Sequence, residues 1–275
     1  MRITFIGGGT MGEAMIKCLL AGGVATPQDI LVSDISLSRG EWLSKEYGVG
    51  TSTDNGNAVD GADLIVLAIK PPDLSQIMEE IVKAGRLQTG TLILSIVAGV
   101  SLPSLYQGLN HSAIIRAMPN MPAQIGEGIT VWTATAEVSQ EQKEMAQSLL
   151  SSLGKEVCVA DEKYLDMATA LSGSGPAYVF LFIESLVDAG VHIGLPRDTS
   201  QQLVIQTILG STHTLQKTGK HPTELRNMVT SPGGTTAEAL LRLERGKFRS
   251  SILEAVVAAY DKAKSLSTSI SRREK

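Results

Sequence analysis

Residues 230–236 read TSPGGTT, with four hydroxyls and two glycines set directly ahead of AEALLRLE, a segment of helical character. Thr235 and Glu238 fit the T-x-x-E pattern of a capping box, which would make the stretch an ordinary helix start. A cap alone does not require a proline and a glycine pair as well. Glycines before a helix let backbone N–H groups converge and let a ligand come close, and a helix N-terminus attracts an anion. The stretch therefore reads either as a capped turn or as a site for a small carboxylate or phosphate.

A second group of chemistry-bearing residues opens the chain. Gly7-Gly8-Gly9-Thr10-Met11-Gly12 matches G-x-G-x-x-G and lies between an apolar run and a helical segment, the context in which that motif holds a dinucleotide. Gly7 would permit the tight turn, Gly9 would let the backbone meet a pyrophosphate, and Gly12 would allow close helix–strand packing. Asp34 lies 22 residues beyond Gly12, where an acid would accept from the adenosine ribose hydroxyls. A carboxylate there favours NADH, whereas Ser36, Ser38 and Arg39 could hold a 2′-phosphate, so both NADPH and NADH remain open.

These residues must be carried by elements. Residues 3–6 (ITFI), 29–34, 62–69 and 90–99 are short apolar runs bounded by turn residues, as expected of parallel strands buried on both faces. Residues 112–119, 128–134 and 155–160 extend the series, with a helix introduced by Ser139 before the last. Strand–helix alternation of this kind predicts an α/β, Rossmann-type doubly wound sheet over residues 1–160. In such a sheet the ligand lies at the carboxyl ends of the strands, where the chain places Asn55, Ala68-Ile69-Lys70-Pro71, Val97-Ala98-Gly99 and Met118-Pro119-Asn120. Lys70 could reach a ribose or phosphate or be simply solvated, and Asn120 could be a substrate contact or a turn residue.

Past Asp161 strands give way to helical segments, predicting an all-helical domain over 161–275. Gly173 and Gly175 are expected to interrupt the first of them, and helices are expected near 197–217, 235–245 and 250–267. The last carries Ile252, Val256, Ala259, Ala263 and Leu266 on one stripe. The segment AYVFLFIESLV after Pro176 is apolar nearly all round, so it must be covered on every side, by a second subunit or as the core helix of its own chain.

Composition narrows the class. Hydrophobic residues make up 43% and charged residues 19%, as in globular proteins rather than disordered ones. The net charge of −4, with no basic run interleaved with aromatics, argues against nucleic-acid or anionic-membrane partners. Cys18 and Cys158 make neither a metal spacing nor a disulfide framework, and the four histidines are scattered, so no metal site is expected. A chain that enters a strand at once leaves no room for a signal peptide, and no apolar run is read as long enough to span a bilayer. Together these predict a cytoplasmic protein.

The layout is similar to that of 3-hydroxyacid and 6-phosphogluconate dehydrogenases, which carry an acid–base lysine on the inter-domain helix. SGSGPAYVFLFIESLVDAG contains no lysine. Reducing a ketone needs a proton donor for the developing alkoxide. A protonated imine is already electrophilic and leaves a neutral amine, so this site suits an iminium better.

FIGGGTMGEA (5–14), LAIKP (67–71), LSGSGPAY (171–178), GLPR (194–197) and VTSPGGTTAEAL (229–240) together resemble the pyrroline-5-carboxylate reductase family, over residues 1 to about 268. The 229–240 motif is the specific element of that likeness. The resemblance implies NAD(P)H-dependent reduction of 1-pyrroline-5-carboxylate to L-proline, by a dinucleotide domain joined to a helical dimerisation domain. It implies a homodimer and, beyond it, a decamer of five dimers. It assigns the substrate carboxylate to the backbone of Gly234, Thr235 and Thr236 with the Ser231 side chain, and the ring nitrogen to the Thr236 hydroxyl. It assigns the cofactor to Ile6, Gly7, Gly8, Gly9, Thr10, Met11, Asn55, Ala68, Ile69, Lys70, Pro71 and Ala98, beside Asp34. The chain departs from the animal form at Asp34, where a serine is found there, and at Met228, which replaces a cofactor-contacting asparagine. Two alternatives are another imine or hydroxyacid oxidoreductase and a non-catalytic nucleotide-sensing homologue. The second tends to lose the catalytic hydroxyl or the nucleotide glycines, and this chain keeps Thr236, Gly7, Gly9 and Gly12.

Overall fold

The computed structural model describes residues 1–273, with side chains to residue 267. Strand β1 (Ile3–Ile6) runs into helix α1 (Thr10–Ala21), followed by β2 (Ile30–Ser33), α2 (Leu37–Tyr47), β3 (Gly50–Ser52), α3 (Asn55–Ala58) and β4 (Leu64–Leu67). Next come α4 (Leu74–Ala84), β5 (Leu92–Ser95), α5 (Leu102–Leu109), β6 (Ile114–Met118), β7 (Gly128–Ala134), α6 (Gln140–Ser151) and β8 (Gly154–Cys158). They form one eight-stranded sheet in the order β3-β2-β1-β4-β5-β6-β7-β8.

Period-two alternation sends the strand side chains to two cores, one on each face of the sheet. Phe5, Val32, Leu64, Val66 and Leu94 meet Met15, Leu19 and Leu43 from α1 and α2. Ile65, Leu67 and Ile93 meet Met78 and Ile81 of α4 and Leu105 of α5 on the other face. Each fully buried side chain of this kind contributes about 1.5–3 kcal/mol. Burial on both faces is why these strands read as continuous apolar runs.

The sheet is parallel except at one end. β6 and β7 pair antiparallel, and β8 runs parallel to β7. The reason is length. Only residues 119–127 join β6 to β7, partly as a 3-10 turn over Met121–Ile125, and a parallel crossover needs a dozen or more residues. β3 escaped the sequence reading because its three residues are short, polar and at the sheet edge. The start of α6 is as expected: the Ser139 Oγ accepts from the Gln142 amide at 3.2 Å, and the Gln142 side chain accepts from the Ser139 amide at 3.0 Å.

Helices continue as α7 (Lys163–Ala168), a π turn over Thr169–Gly173, α8 (Gly175–His192), α9 (Arg197–Thr218), α10 (Pro222–Met228), α11 (Thr235–Arg245) and α12 (Phe248–Arg273). The chain divides into two compact units, residues 1–174 with 259–275, and residues 175–258. Gly173 and Gly175 fall where α geometry breaks, at a π turn and a bend at Ser174, but the π turn keeps the helical path continuous. Residues Lys163–His192 therefore run as one 30-residue helix, long and apolar enough by length and composition to cross a bilayer. This corrects the expectation that no such run exists. The core-helix alternative for α8 does not fit either: Phe180 and Leu181 are exposed, and Val187 is its one buried residue. On the α12 stripe only Ala263 is buried, while Ile252 and Leu266 stay exposed.

One buried ion network ties the sheet to helices. The Arg116 guanidinium on β6 is 5% exposed and contacts Glu162 Oε1 at 2.7 Å and Asp166 Oδ1 at 3.2 Å. Glu162 Oε1 also accepts from the Leu102 amide at 2.8 Å, and Asp166 Oδ1 from the Ser267 hydroxyl at 3.1 Å. Removing one member of a buried network strands the others. Arg116→Met is expected to lower stability by about 3 kcal/mol, read as a lower urea midpoint with an unchanged slope. A midpoint equal to that of the unmodified chain would show that the network is energetically idle.

Candidate active site

The glycine loop is built as its motif requires. Gly7 has φ of +98°, and a Cβ there would stand 2.6 Å from the Ala68 carbonyl oxygen. The carboxyl ends of β1 and β4 thus approach too closely for any side chain at Gly7. Gly12 is equally constrained, since its Cβ would lie 2.5 Å from the Gly7 carbonyl oxygen and 3.4 Å from the Ala68 Cβ. Gly9, by contrast, faces open space. It is also the N-cap of α1 and provides no side-chain cap, so the amides of the first turn lack an intrahelical acceptor. An open glycine over free amides at a helix start fits a dinucleotide pyrophosphate.

Asp34 closes the other side of this loop. Its Oδ2 accepts from the Gly8 amide at 2.8 Å and its Oδ1 from the Ser36 amide at 2.9 Å, which fixes the carboxylate at the end of β2. Asn55 sits beside it through Ser33, whose hydroxyl donates to Asn55 Oδ1 at 2.8 Å. The Asn55 amide donates in turn to Glu80 Oε2 at 2.8 Å. Glu80 was not legible as a site residue, because it comes from α4, 25 residues further along the chain. Ala68, Ile69 and Ala98 are half-buried at the ends of β4 and β5, and Ile6 is buried in β1. Lys70 is exposed and Pro71 opens the 3-10 turn ahead of α4.

Two residues are placed differently from one of their readings. Asn120 is a structural clamp, accepting from the Ile129 amide at 2.9 Å and donating to the Ser172 carbonyl at 3.1 Å. Arg39 is engaged by the protein itself. Its Nε donates to the Gly8 carbonyl at 2.6 Å, its Nη2 pairs with Glu13 Oε2, and its guanidinium lies 4.7 Å from the Trp42 ring centroid. Glu13 Oε1 also accepts from the Tyr47 hydroxyl at 2.9 Å. Burial and this carboxylate push the Tyr47 pKa up to about 12.

In the 175–258 unit, the loop before α11 bears on the first of the two readings raised by the sequence. The capping box does not form. The N-cap is Gly234, no side chain caps the helix, and Thr235 and Thr236 are its first two residues. Gly233 takes φ of +68° to make the turn, and Gly234 donates to the Ser231 carbonyl at 3.1 Å. A Cβ on Gly234 would run into the Ser231 hydroxyl, so a glycine is needed to keep that hydroxyl in place. Elsewhere helical threonines spend their hydroxyls on the backbone: Thr207, Thr212, Thr214 and Thr218 each donate to the carbonyl four residues earlier. Four residues before Thr236 lies Pro232, outside the helix, so this outlet is closed to it. Among the described residues the Thr236 hydroxyl is left uncommitted, on a half-buried residue. Free amides, a serine hydroxyl and an unspent threonine hydroxyl can together hold a carboxylate and one further polar atom.

Comparison with known proteins places this arrangement. Residues 162–266 match the family model for pyrroline-5-carboxylate reductase dimerisation, and residues 2–99 match the model described as NADP oxidoreductase, coenzyme F420-dependent. The dimerisation match includes the exposed apolar face of α8. The chain is 41% identical to pyrroline-5-carboxylate reductase of Synechocystis sp., over 97% of this chain and 98% of that one. It is 37% identical to the Arabidopsis thaliana enzyme, over 98% and 96%. Among solved structures, pyrroline-5-carboxylate reductase from Coxiella burnetii superposes with a TM-score of 0.88 at 37% identity, covering 97% of this chain and 98% of that one. Plasmodium falciparum pyrroline carboxylate reductase with NADP bound gives 0.87 at 32% identity, over 97% and 98%. With a glycine-loop sheet, an uncapped hydroxyl-rich helix start and likeness along nearly its whole length, the chain belongs to the pyrroline-5-carboxylate reductase family.

Proposed function

We propose that this chain reduces 1-pyrroline-5-carboxylate to L-proline with NADPH or NADH, the closing step of proline biosynthesis. When bound, the reduced dinucleotide supplies a hydride to the C=N carbon, and with one proton on nitrogen the imine becomes the amine. The observation that carries the reading is the α11 start, where Gly234 replaces a side-chain cap and leaves Thr236 unspent. The amides of Thr235 and Thr236 with the Ser231 hydroxyl hold the substrate carboxylate, and Gly234, whose own amide is spent on the Ser231 carbonyl, gives it room to approach. The Thr236 hydroxyl meets the ring nitrogen, orients it and holds its proton. Residues Ile6 to Met11, Asp34, Asn55, Ala68 to Pro71 and Ala98 hold the cofactor. Most of the acceleration then comes from orientation, which suits a site whose donors belong to rigid helix starts.

Residues 1–160 act as the dinucleotide domain and 161–275 as the dimerisation and substrate domain, a division supported by the family model beginning at residue 162. The homodimer covers the apolar face of α8, and five dimers assemble into a decamer, to be read by light scattering. The enzyme works in the cytoplasm without nucleic-acid or membrane partners, in keeping with a net charge of −4.

The test is a steady-state assay of NADH and NADPH oxidation with pyrroline-5-carboxylate, pyrroline-2-carboxylate and short 2-hydroxyacids. Turnover is expected with the first substrate, at least a hundredfold above the others in kcat/KM, since the carboxylate and ring nitrogen must be met together. Comparable turnover of a hydroxyacid would overturn the assignment, and no turnover of any would point to a nucleotide-binding homologue.

A further inference from the structure

The surroundings of Asp34 bear on which dinucleotide is preferred, an inference that rests on reading the glycine loop and Asp34 as the cofactor pocket. A 2′-phosphate would enter where the acid at the end of β2 meets the adenosine ribose. Discrimination there turns on whether a free cation or a carboxylate faces the phosphate. Both Asp34 oxygens are anchored by amides, those of Gly8 and Ser36, so the carboxylate is held in place rather than free to swing aside. The next residue, Ile35, is 96% exposed and offers an apolar surface where a phosphate would need a donor. The Ser36 and Ser38 hydroxyls lie 3.1 Å apart and bond to each other.

Arg39 is the guanidinium that follows them, and it is already occupied. Glu13 neutralises its charge, the Gly8 carbonyl takes its Nε–H, and Trp42 covers its face. Glu13 is itself held by the Tyr47 hydroxyl, so the ion pair is braced from both ends. Glu13 and Arg39 are each only 27% exposed, which limits screening by solvent. Two carboxylates, Asp34 and Glu13, therefore stand against one guanidinium in this corner.

We propose that the Glu13–Arg39 pair acts with Asp34 as a coenzyme-specificity device, so that the chain binds NADH in preference to NADPH. Asp34 repels the 2′-phosphate, and Glu13 withholds the arginine that could otherwise receive it. Glu13 is thus a positioning residue for specificity, acting through Arg39.

Fluorescence titration of the full-length protein with NADH and with NADPH, in the absence of any imine, tests this directly. The unmodified chain is expected to bind NADH at least tenfold more tightly. Asp34→Ser should bring the two affinities to within about threefold, because repulsion is lost while Arg39 stays engaged. Adding Glu13→Ala should then free Arg39 and turn the preference about tenfold toward NADPH. Glu13→Ala alone should narrow the NADH preference about threefold, with NADH affinity held within threefold as the check that the variant is folded. Equal binding of both coenzymes by the unmodified chain overturns the proposal and leaves the reductase assignment standing. So does a double variant whose preference is that of Asp34→Ser alone. Failure to bind either dinucleotide removes the cofactor pocket itself, and this inference with it.

Discussion

Thr236→Ala is expected to lower kcat for pyrroline-5-carboxylate about a hundredfold while NADH and NADPH bind as before. Proton management by a positioned group contributes about 10²–10⁴-fold, and a hundredfold corresponds to about 2.7 kcal/mol of transition-state stabilisation. The low end is expected, because a hydroxyl orients the nitrogen and shares its proton but is not a strong acid. The variant should fold normally. Thr236 makes no cap and no bond to the preceding turn, and alanine is the better helix former. Thr236→Ser, which keeps the oxygen, should recover most of the turnover. Full activity in the alanine variant would remove Thr236 from the mechanism, and loss in both variants would show that its methyl group, not its hydroxyl, matters.

Gly234→Val is expected to raise KM for pyrroline-5-carboxylate about 10- to 100-fold, with a smaller change in kcat. Gly234 has φ of −83°, an ordinary value, so valine brings no backbone strain. The new side chain instead displaces the Ser231 hydroxyl and crowds the Ser231 carbonyl, which lies 3.2 Å from the Cβ position. Losing one hydrogen bond to a charged group costs about 1.5–3 kcal/mol, which is the stated range in affinity. Ser231→Ala should reproduce the lower part of that effect, since it removes the hydroxyl without adding bulk. An unaltered KM in the valine variant would mean that the carboxylate is held elsewhere. Circular dichroism and a thermal melt on the same sample separate that outcome from misfolding.

The local features of both sites were legible in the chain because they are local. Gly7 makes the tight turn and Gly12 the close packing that the motif demands, and the apolar runs at β1, β4 and β5 became buried strands because continuous apolar runs between turn residues act within a few positions. Ser139 with Gln142 formed its capping box for the same reason. The same pattern at Thr235 with Glu238 did not, although its sequence is as good a match. The Gly233–Gly234 turn moved the helix start one residue earlier, so the threonine that could have capped became the first helical residue. A capping pattern states a possibility, and the conformation of the residues before it decides.

What the sequence alone determined is the class of the molecule: a glycine-loop sheet, a helical half, and a hydroxyl-rich helix start. Tertiary structure decided the rest. It reversed β7, fixed Asp34 by the Gly8 amide, turned Asn55 toward Glu80, and committed Arg39 to Glu13. Each of these partners comes from a segment packed alongside from elsewhere in the chain. Helix and strand periods fix which face a residue occupies, but only the packing of one element on another fixes what that face meets.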